Sequence, residues 1–374
     1  MVVVLGEVFG ELVASVIVGG HDPMDHADAF EDQEVPVSRA RGEIAGALLH
    51  FRDGEGPRCA REHVDQRGPA RGEALTGVLE PGRDGIVQLA PGALPNHGRT
   101  LAMRGTVAGV DLDAAARFRS LVAAVDNDPP LDEGALLIAA TATGADVELG
   151  LARLDDLAAA ALAFEDSRTP AGLARVLFVD WAFAGNTADY DDPRNSFLPD
   201  VIDRRLGLPI ALSVLMIEVG RRIGVGLHGV GMPGHFLVGV DADPDEFIDP
   251  FHAGAALDRT GCRARFMAMY GSQAQFGEQY LEPTSSRLIL LRMVTNLQHA
   301  YARRRSPNAR WAAGLRLAFP EIPPEERERT ADVLASVGAT ADAAAVLDEL
   351  AAHGSGSDRD RWARQATAYR SQSN

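Results

Sequence analysis

Lysine is missing from this chain: every one of the 36 basic residues is arginine. A Schiff-base lysine and a P-loop lysine are therefore both excluded, since each needs a primary amine. Cysteine is almost missing too. Cys59 and Cys262 stand far apart, with no CxxC pair, no zinc spacing and no disulfide framework, which suits a reducing compartment. Positive charge is short overall. A formal net charge of -17 argues against nucleic acid or an anionic membrane as partner, because both demand a basic face. No apolar run approaches the roughly 18 residues of a membrane helix. The apolar opening, MVVVLGEVFGELVASVIVGG, is interrupted by Glu7 and Glu11 and has no basic residue before it, so it does not read as a signal peptide. A cytoplasmic protein without cofactor is expected.

What is present is a chain of 374 residues, 46% hydrophobic, long enough to bury a full core in two or three units. Residues 1–102 differ from the rest. They are rich in Gly, Arg, His and Asp, carry turn signals such as Asp53-Gly54-Glu55-Gly56-Pro57, and show no sustained period after the first 18 residues. Two readings fit: translation of the native protein starts at Met103, or residues 1–102 are a poorly ordered extension.

From Asp111 the pattern is orderly. Asp111 or Asp113 can cap a helix with Phe118, Leu121, Val122 and Val125 on its apolar face, stopped by Asp126-Asn127-Asp128-Pro129-Pro130. Amphipathic helices are expected over Leu131–Ala140, Val147–Leu162 and Ala171–Ala184, with Trp181 as a core aromatic. Pro209 suits the first turn of a further helix, where its missing N–H would be unpaired anyway. Ile210, Val214, Ile217 and their neighbours give that helix a wide apolar face, and Gly224 is its natural C-cap. Strands are expected at Val225–Val230, at Phe236–Val240 and through Phe247-Ile248-Asp249, placing a buried helix on an antiparallel sheet. Helices return at Arg287–Arg304, Ala309–Phe319, Pro324–Val337 and Ala341–Ala352, joined by short links that suggest stacked hairpins. The polar tail from Gly354 to Asn374 is expected to fray, with Trp362 as its one docking residue.

Helix start, then His235, then Asp249 is the order of a thiol–imidazole–carboxylate site, in which the helix dipole and the imidazole activate the thiol and the carboxylate orients the imidazole. Here Pro209 stands where the thiol would be. The segment resembles the transglutaminase-like superfamily, whose helix opens Gly-x-Cys. On that resemblance Gly207, Ser213, Arg221 and Gly224 match family positions, His235 and Asp249 match its His and Asp, and Pro209 replaces its Cys.

The chain resembles most the SirB-like branch of that superfamily. The matching words are Asn195-Ser196-Phe197-Leu198, Arg204-Arg205-Leu206-Gly207-Leu208-Pro209-Ile210, Pro233-Gly234-His235-Phe236 and Asp249-Pro250-Phe251. Pro283-Thr284-Ser285-Ser286-Arg287 and Leu291-Arg292-Met293-Val294-Thr295-Asn296-Leu297 extend the match. The resemblance covers roughly residues 110–353. It implies an α+β fold: a transglutaminase-like (papain-like) core of a buried helix on an antiparallel sheet, flanked by N-terminal helices and C-terminal tetratricopeptide-like helical hairpins. The expected divisions are 1–102 as above, 103–190 N-terminal helices, 191–285 core, 286–353 tetratricopeptide-like helices and 354–374 tail.

A site lacking its nucleophile points to a protein- or peptide-binding regulatory module, a pseudoenzyme in place of a cysteine enzyme. The rival is an amide-bond hydrolase or acyltransferase in which His235, oriented by Asp249, activates water or Ser196. A plain scaffold is the third reading. Ser213, one turn inside the helix, reads as a packing residue, and Cys262 lies at the wrong place in the order for the thiol. His228, His235, Asp249 and His252 are four potential metal ligands in 25 residues. Nothing in the pattern fixes their faces, and His252 reads as a loop residue, so no metal site is expected.

Overall fold

The computed structural model describes residues 3–8, 11–16, 110–124 and 128–372. Strands β1 (Val3–Val8) and β2 (Glu11–Val16) form an antiparallel hairpin. The remainder of the proposed 1–102 extension, and Val125-Asp126-Asn127 of the expected first helix face and breaker, lie outside the described residues.

Asp111 caps α1 (Leu112–Ala123), its carboxylate accepting from the N–H groups of Asp113 and Ala114 at 3.0 Å. Helices α2 (Leu131–Thr143) and α3 (Val147–Ala161) follow, the first closed by Gly144 in the left-handed region. The helix expected over Ala171–Ala184 is shorter: α4 (Pro170–Arg175) widens into a π-turn at Val176–Asp180, and Ala182 then turns the chain at φ 56°. Trp181 is a core aromatic as expected, 1% exposed and edge-on to Phe164.

Two short parallel strands, β3 (Ala184–Gly185) and β4 (Leu206–Gly207), flank α5 (Leu198–Arg204) and lead into α6, Pro209–Ile223. Proline at the first helical position and Gly224 at φ 81° after the last bound α6 where the sequence marks it. Thirteen of its residues are buried, Pro209 among them, and each fully buried Leu, Ile or Val contributes about 1.5–3 kcal/mol. Arg222 near its end bonds Asp132 of α2, Asp155 of α3 and Glu218, tying three helices together.

The sheet comprises β5 (Leu227–Val230), β6 (Leu237–Val240), β7 (Asp243–Asp249), β8 (Ala255–Leu257) and β9 (Pro283–Thr284) in the order β8-β7-β6-β5-β9, all antiparallel. Alternation along the strands divides them between two cores. Val238, Val240 and Ile248 join the main core with α6, while Leu237 and Phe247 join a smaller core with Cys262 and Phe266 of α7 (Arg259–Tyr270). The sheet is thus covered on both faces, and α7 is an element the sequence pattern did not announce.

Helices α8 (Ser286–Arg303), α9 (Ala309–Arg316), α10 (Pro324–Ser336) and α11 (Thr340–His353) match the expected ones to within a few residues. The tail does not fray. Gly356–Ser371 is a helix, α12, whose Trp362 is 5% exposed and donates from Nε1 to Glu328. Trp362 and Ala366 share a core with Leu334 and Leu347 of α10 and α11. No helix of the described residues is long and apolar enough to cross a membrane.

Candidate functional site

The site is built by two turns at the ends of β6 and β7. Pro233 and Gly234 form a tight turn closed by the His235 N–H on the Met232 carbonyl at 3.1 Å, with Gly234 at φ 69°, the pattern of a type II turn. His235 therefore lies in the turn leading to β6, which begins at Leu237, one residue after the expected strand start at Phe236. Arg292 of α8 holds that turn by donating to the Met232 and His235 carbonyls at 3.0 and 2.9 Å. At the other end, Asp249 closes β7 and caps the 3-10 turn Pro250–His252, its Oδ1 accepting from the Phe251 and His252 N–H groups. The antiparallel Val238–Ile248 register brings the start of β6 and the end of β7 to the same end of the sheet.

His235 Nε2 lies 2.9 Å from Asp249 Oδ2, with His235 6% exposed and Asp249 fully buried. Sequence order thus correctly anticipated this contact. Two further groups converge on the same oxygen: His252 Nδ1 at 2.9 Å and Arg265 Nε, from α7, at 3.1 Å. Burial pushes the Asp249 carboxyl up, but the His235 hydrogen bond and the charges of His235, His252 and Arg265 outweigh it and hold the group below the ordinary carboxylate range. Burial and the Arg265 charge lower the His252 imidazole against the pull of Asp249. Arg265 and His252 were not read as partners of Asp249. Arg265 sits on a helix of its own, sixteen residues on, and only the fold joins it to the pair.

The Phe251 ring walls one side of His235, edge-on at 6.2 Å, and meets Tyr190 edge-on at 6.0 Å. Gly185 makes room for it: a Cβ there would fall 2.4 Å from the ring. His235 is therefore covered on the Phe251 side, and solvent reaches the cluster past His252, whose side chain is 48% exposed.

Pro209 occupies the first position of α6, where it offers neither a nucleophile nor an N–H. Ser196, the candidate substitute, is 2% exposed and makes no side-chain hydrogen bond among the described residues, to His235 or to any other. It lines a narrow pocket beside Leu208, together with Tyr190, Asn296, His299 and Arg303. Burial and the charges of Arg316 and Arg303 lower His299 there to about 4, so it is a neutral and weak base at pH 7. Asn195 shapes this wall. Its side-chain amide donates to the Asp189 and Tyr190 carbonyls, and its backbone carbonyl accepts from Leu208 N–H at 2.9 Å.

Ser213 is fully buried on α6 and its hydroxyl has no hydrogen-bond partner among the described residues, in keeping with a packing role. Cys262 is also fully buried, and burial pushes its thiol up to about 12, so it is no thiolate at neutral pH. Of the four residues weighed as metal ligands, His235, Asp249 and His252 come together, with one ligand atom each within 4.8 Å of the others. His228 does not join them; it pairs with Asp241 at 2.8 Å.

A buried helix, a His turn and an Asp turn on an antiparallel sheet define a transglutaminase-like domain, and the transglutaminase-like superfamily model matches residues 148–295. The chain belongs to the UPF0162 family: it is 33% identical over 186 residues to the UPF0162 protein of Pseudomonas aeruginosa, covering 48% of this chain and 68% of that one. It is 43% identical over 136 residues to the UPF0162 protein of Xylella fastidiosa, covering 35% of this chain and 48% of that one. It is also similar to human F-box only protein 21, at 31% over 131 residues, 33% of this chain and 20% of that one. The chain spans about half the length of the Xylella relatives it matches. No solved structure matches.

Proposed function

We propose that this chain is a catalytically silent, SirB-like member of the transglutaminase-like superfamily that captures a protein or peptide segment in the former active-site cleft, in the cytoplasm. One observation carries the reading. Pro209 opens α6, the place where the family resemblance puts the nucleophile, while the His235–Asp249 pair is kept at hydrogen-bond distance. An imidazole base without a nucleophile performs no acyl transfer by itself. The rival enzyme reading asks His235 to activate Ser196, and no hydrogen bond joins them.

The rim of the pocket beside Leu208 supports docking of a segment, the pocket itself being only about the size of one water. The pocket is narrow, it combines an aromatic rim at Tyr190 with the charged groups of Asp191, Asp192 and Arg303 and the neutral polar groups of Ser196, Asn296 and His299, and it abuts the start of α6. Helices α8 to α11, read as tetratricopeptide-like hairpins, extend the surface available to a partner. The test is selection of binders from a displayed random-peptide library on the full chain, followed by affinity measurement. Tyr190→Ala is expected to weaken a selected peptide about tenfold or more while the circular dichroism spectrum is unchanged. Equal affinity for wild type, Tyr190→Ala and His299→Ala would overturn the cleft as the binding surface.

A further inference from the structure

Three side chains meet where β7 ends, and their contacts carry an inference of their own. His252 Nδ1 lies 2.9 Å from Asp249 Oδ2 and 2.7 Å from Arg265 Nη1. A protonated Nδ1 can donate to the carboxylate, but it then faces the guanidinium donor to donor. An unprotonated Nδ1 can accept from Arg265, but it then turns a lone pair on the carboxylate oxygen. No protonation state of His252 satisfies both neighbours. The arrangement is resolved if a cation with vacant coordination sites, not an N–H donor, stands between Nδ1 and Oδ2. Both atoms then act as lone-pair donors, and His235 Nε2 provides a third.

We propose that His235 Nε2, Asp249 Oδ2 and His252 Nδ1 form a binding site for a borderline divalent transition-metal ion of the zinc class, with Arg265 as the cation that holds the site when the metal is away. Two imidazole nitrogens and one carboxylate oxygen are a donor set that suits such an ion and leaves at least one position open. The three ligand atoms already lie within 4.8 Å of one another. The carboxylate is oriented by the Phe251 and His252 N–H groups on its other oxygen, the kind of outer support that fixes a metal ligand. His252, 48% exposed, gives the access route, and the Arg265 side chain, 24% exposed, is long and hinged on α7, so it can swing outward as the ion enters. The inference does not rest on peptide capture: it is read on the purified chain with no peptide present, and either can fail alone.

The experiment is equilibrium dialysis of the tag-free full chain against zinc, with bound metal measured by plasma mass spectrometry, and repeated with cobalt to read the ligand-field spectrum. Wild type is expected to retain about one more zinc per chain than His252→Ala, an exposed substitution compatible with folding. Asp249→Asn and His252→Ala are each expected to lose affinity at that site by at least about 10–100-fold, the loss typical even of an outer-shell partner. Arg265→Gln, which removes the competing positive charge, is expected to bind about tenfold tighter or more. Histidines elsewhere in the chain are common to all four proteins, so the differences isolate this site. Equal zinc retention by wild type and His252→Ala, or an unchanged affinity in Arg265→Gln, would overturn the proposal.

Discussion

Replacing Asp249 by Asn tests whether the buried carboxylate organises the site. The side chain is fully buried, its Oδ1 takes two backbone N–H groups, and its Oδ2 faces His235, His252 and Arg265. Asn keeps the shape but removes the charge and turns an NH2 group on donors. A charge-assisted hydrogen bond contributes about 1.5–3 kcal/mol, and breaking a buried ion pair costs about 3–5 kcal/mol. The half-exposed His252 adds little, so a loss of about 3 kcal/mol is expected, or roughly 6–12 °C in Tm for a unit of this size. The pH dependence carries a sign. The folded carboxyl lies below its ordinary value of 3.8, so its contribution is complete above that value and is lost as pH falls through the folded pKa. The gap between wild type and Asp249→Asn in urea melts, run with a chelator present, should therefore persist down to about pH 4 and shrink below it. A variant within about 0.5 kcal/mol of wild type at pH 7, or a gap that widens in acid, would refute the reasoning.

Three further outcomes are expected. Trp362→Ala removes the side chain that docks α12, at a cost of about 3–5 kcal/mol, and hydrogen exchange should quicken across Gly356–Ser371 before it does in α6. Gly185→Ala drives a methyl group into the Phe251 ring and should cost about 1–3 kcal/mol in chemical melts; a neutral effect would contradict the packing of that ring. In a Cys59→Ser background, Cys262 should resist iodoacetamide at pH 8 in the folded protein and react on unfolding, because burial holds its thiol near 12.

The site's main pair could be read from the sequence because its determinants are local. Pro209 and Gly224 bound a helix, and the order helix, His, Asp is a property of the chain. The unread part is non-local or weakly patterned. Arg265 reaches Asp249 only through the packing of α7 on the sheet, which no spacing encodes. His252 passes for a loop residue until the 3-10 turn after Asp249 folds its ring back onto the carboxylate. The π-turn at Val176–Asp180 carries the same small and apolar residues as an α-helix, so the period does not distinguish them. Helix α12 escaped notice because its buried face amounts to Trp362 and Ala366 in a segment otherwise polar, and burial against α11 supplies what the sequence's own amphipathicity does not.

The absence of a nucleophile is the account's central claim, and turnover tests it most directly. Wild type and His235→Ala, each confirmed folded, would be compared for ammonia release and amine incorporation on glutamine-containing peptides, and for cleavage of a peptide library. The account predicts that both remain at the uncatalysed background, with Pro209 at the head of α6 and Cys262 sealed in the core. Turnover by wild type that disappears in His235→Ala would contradict it.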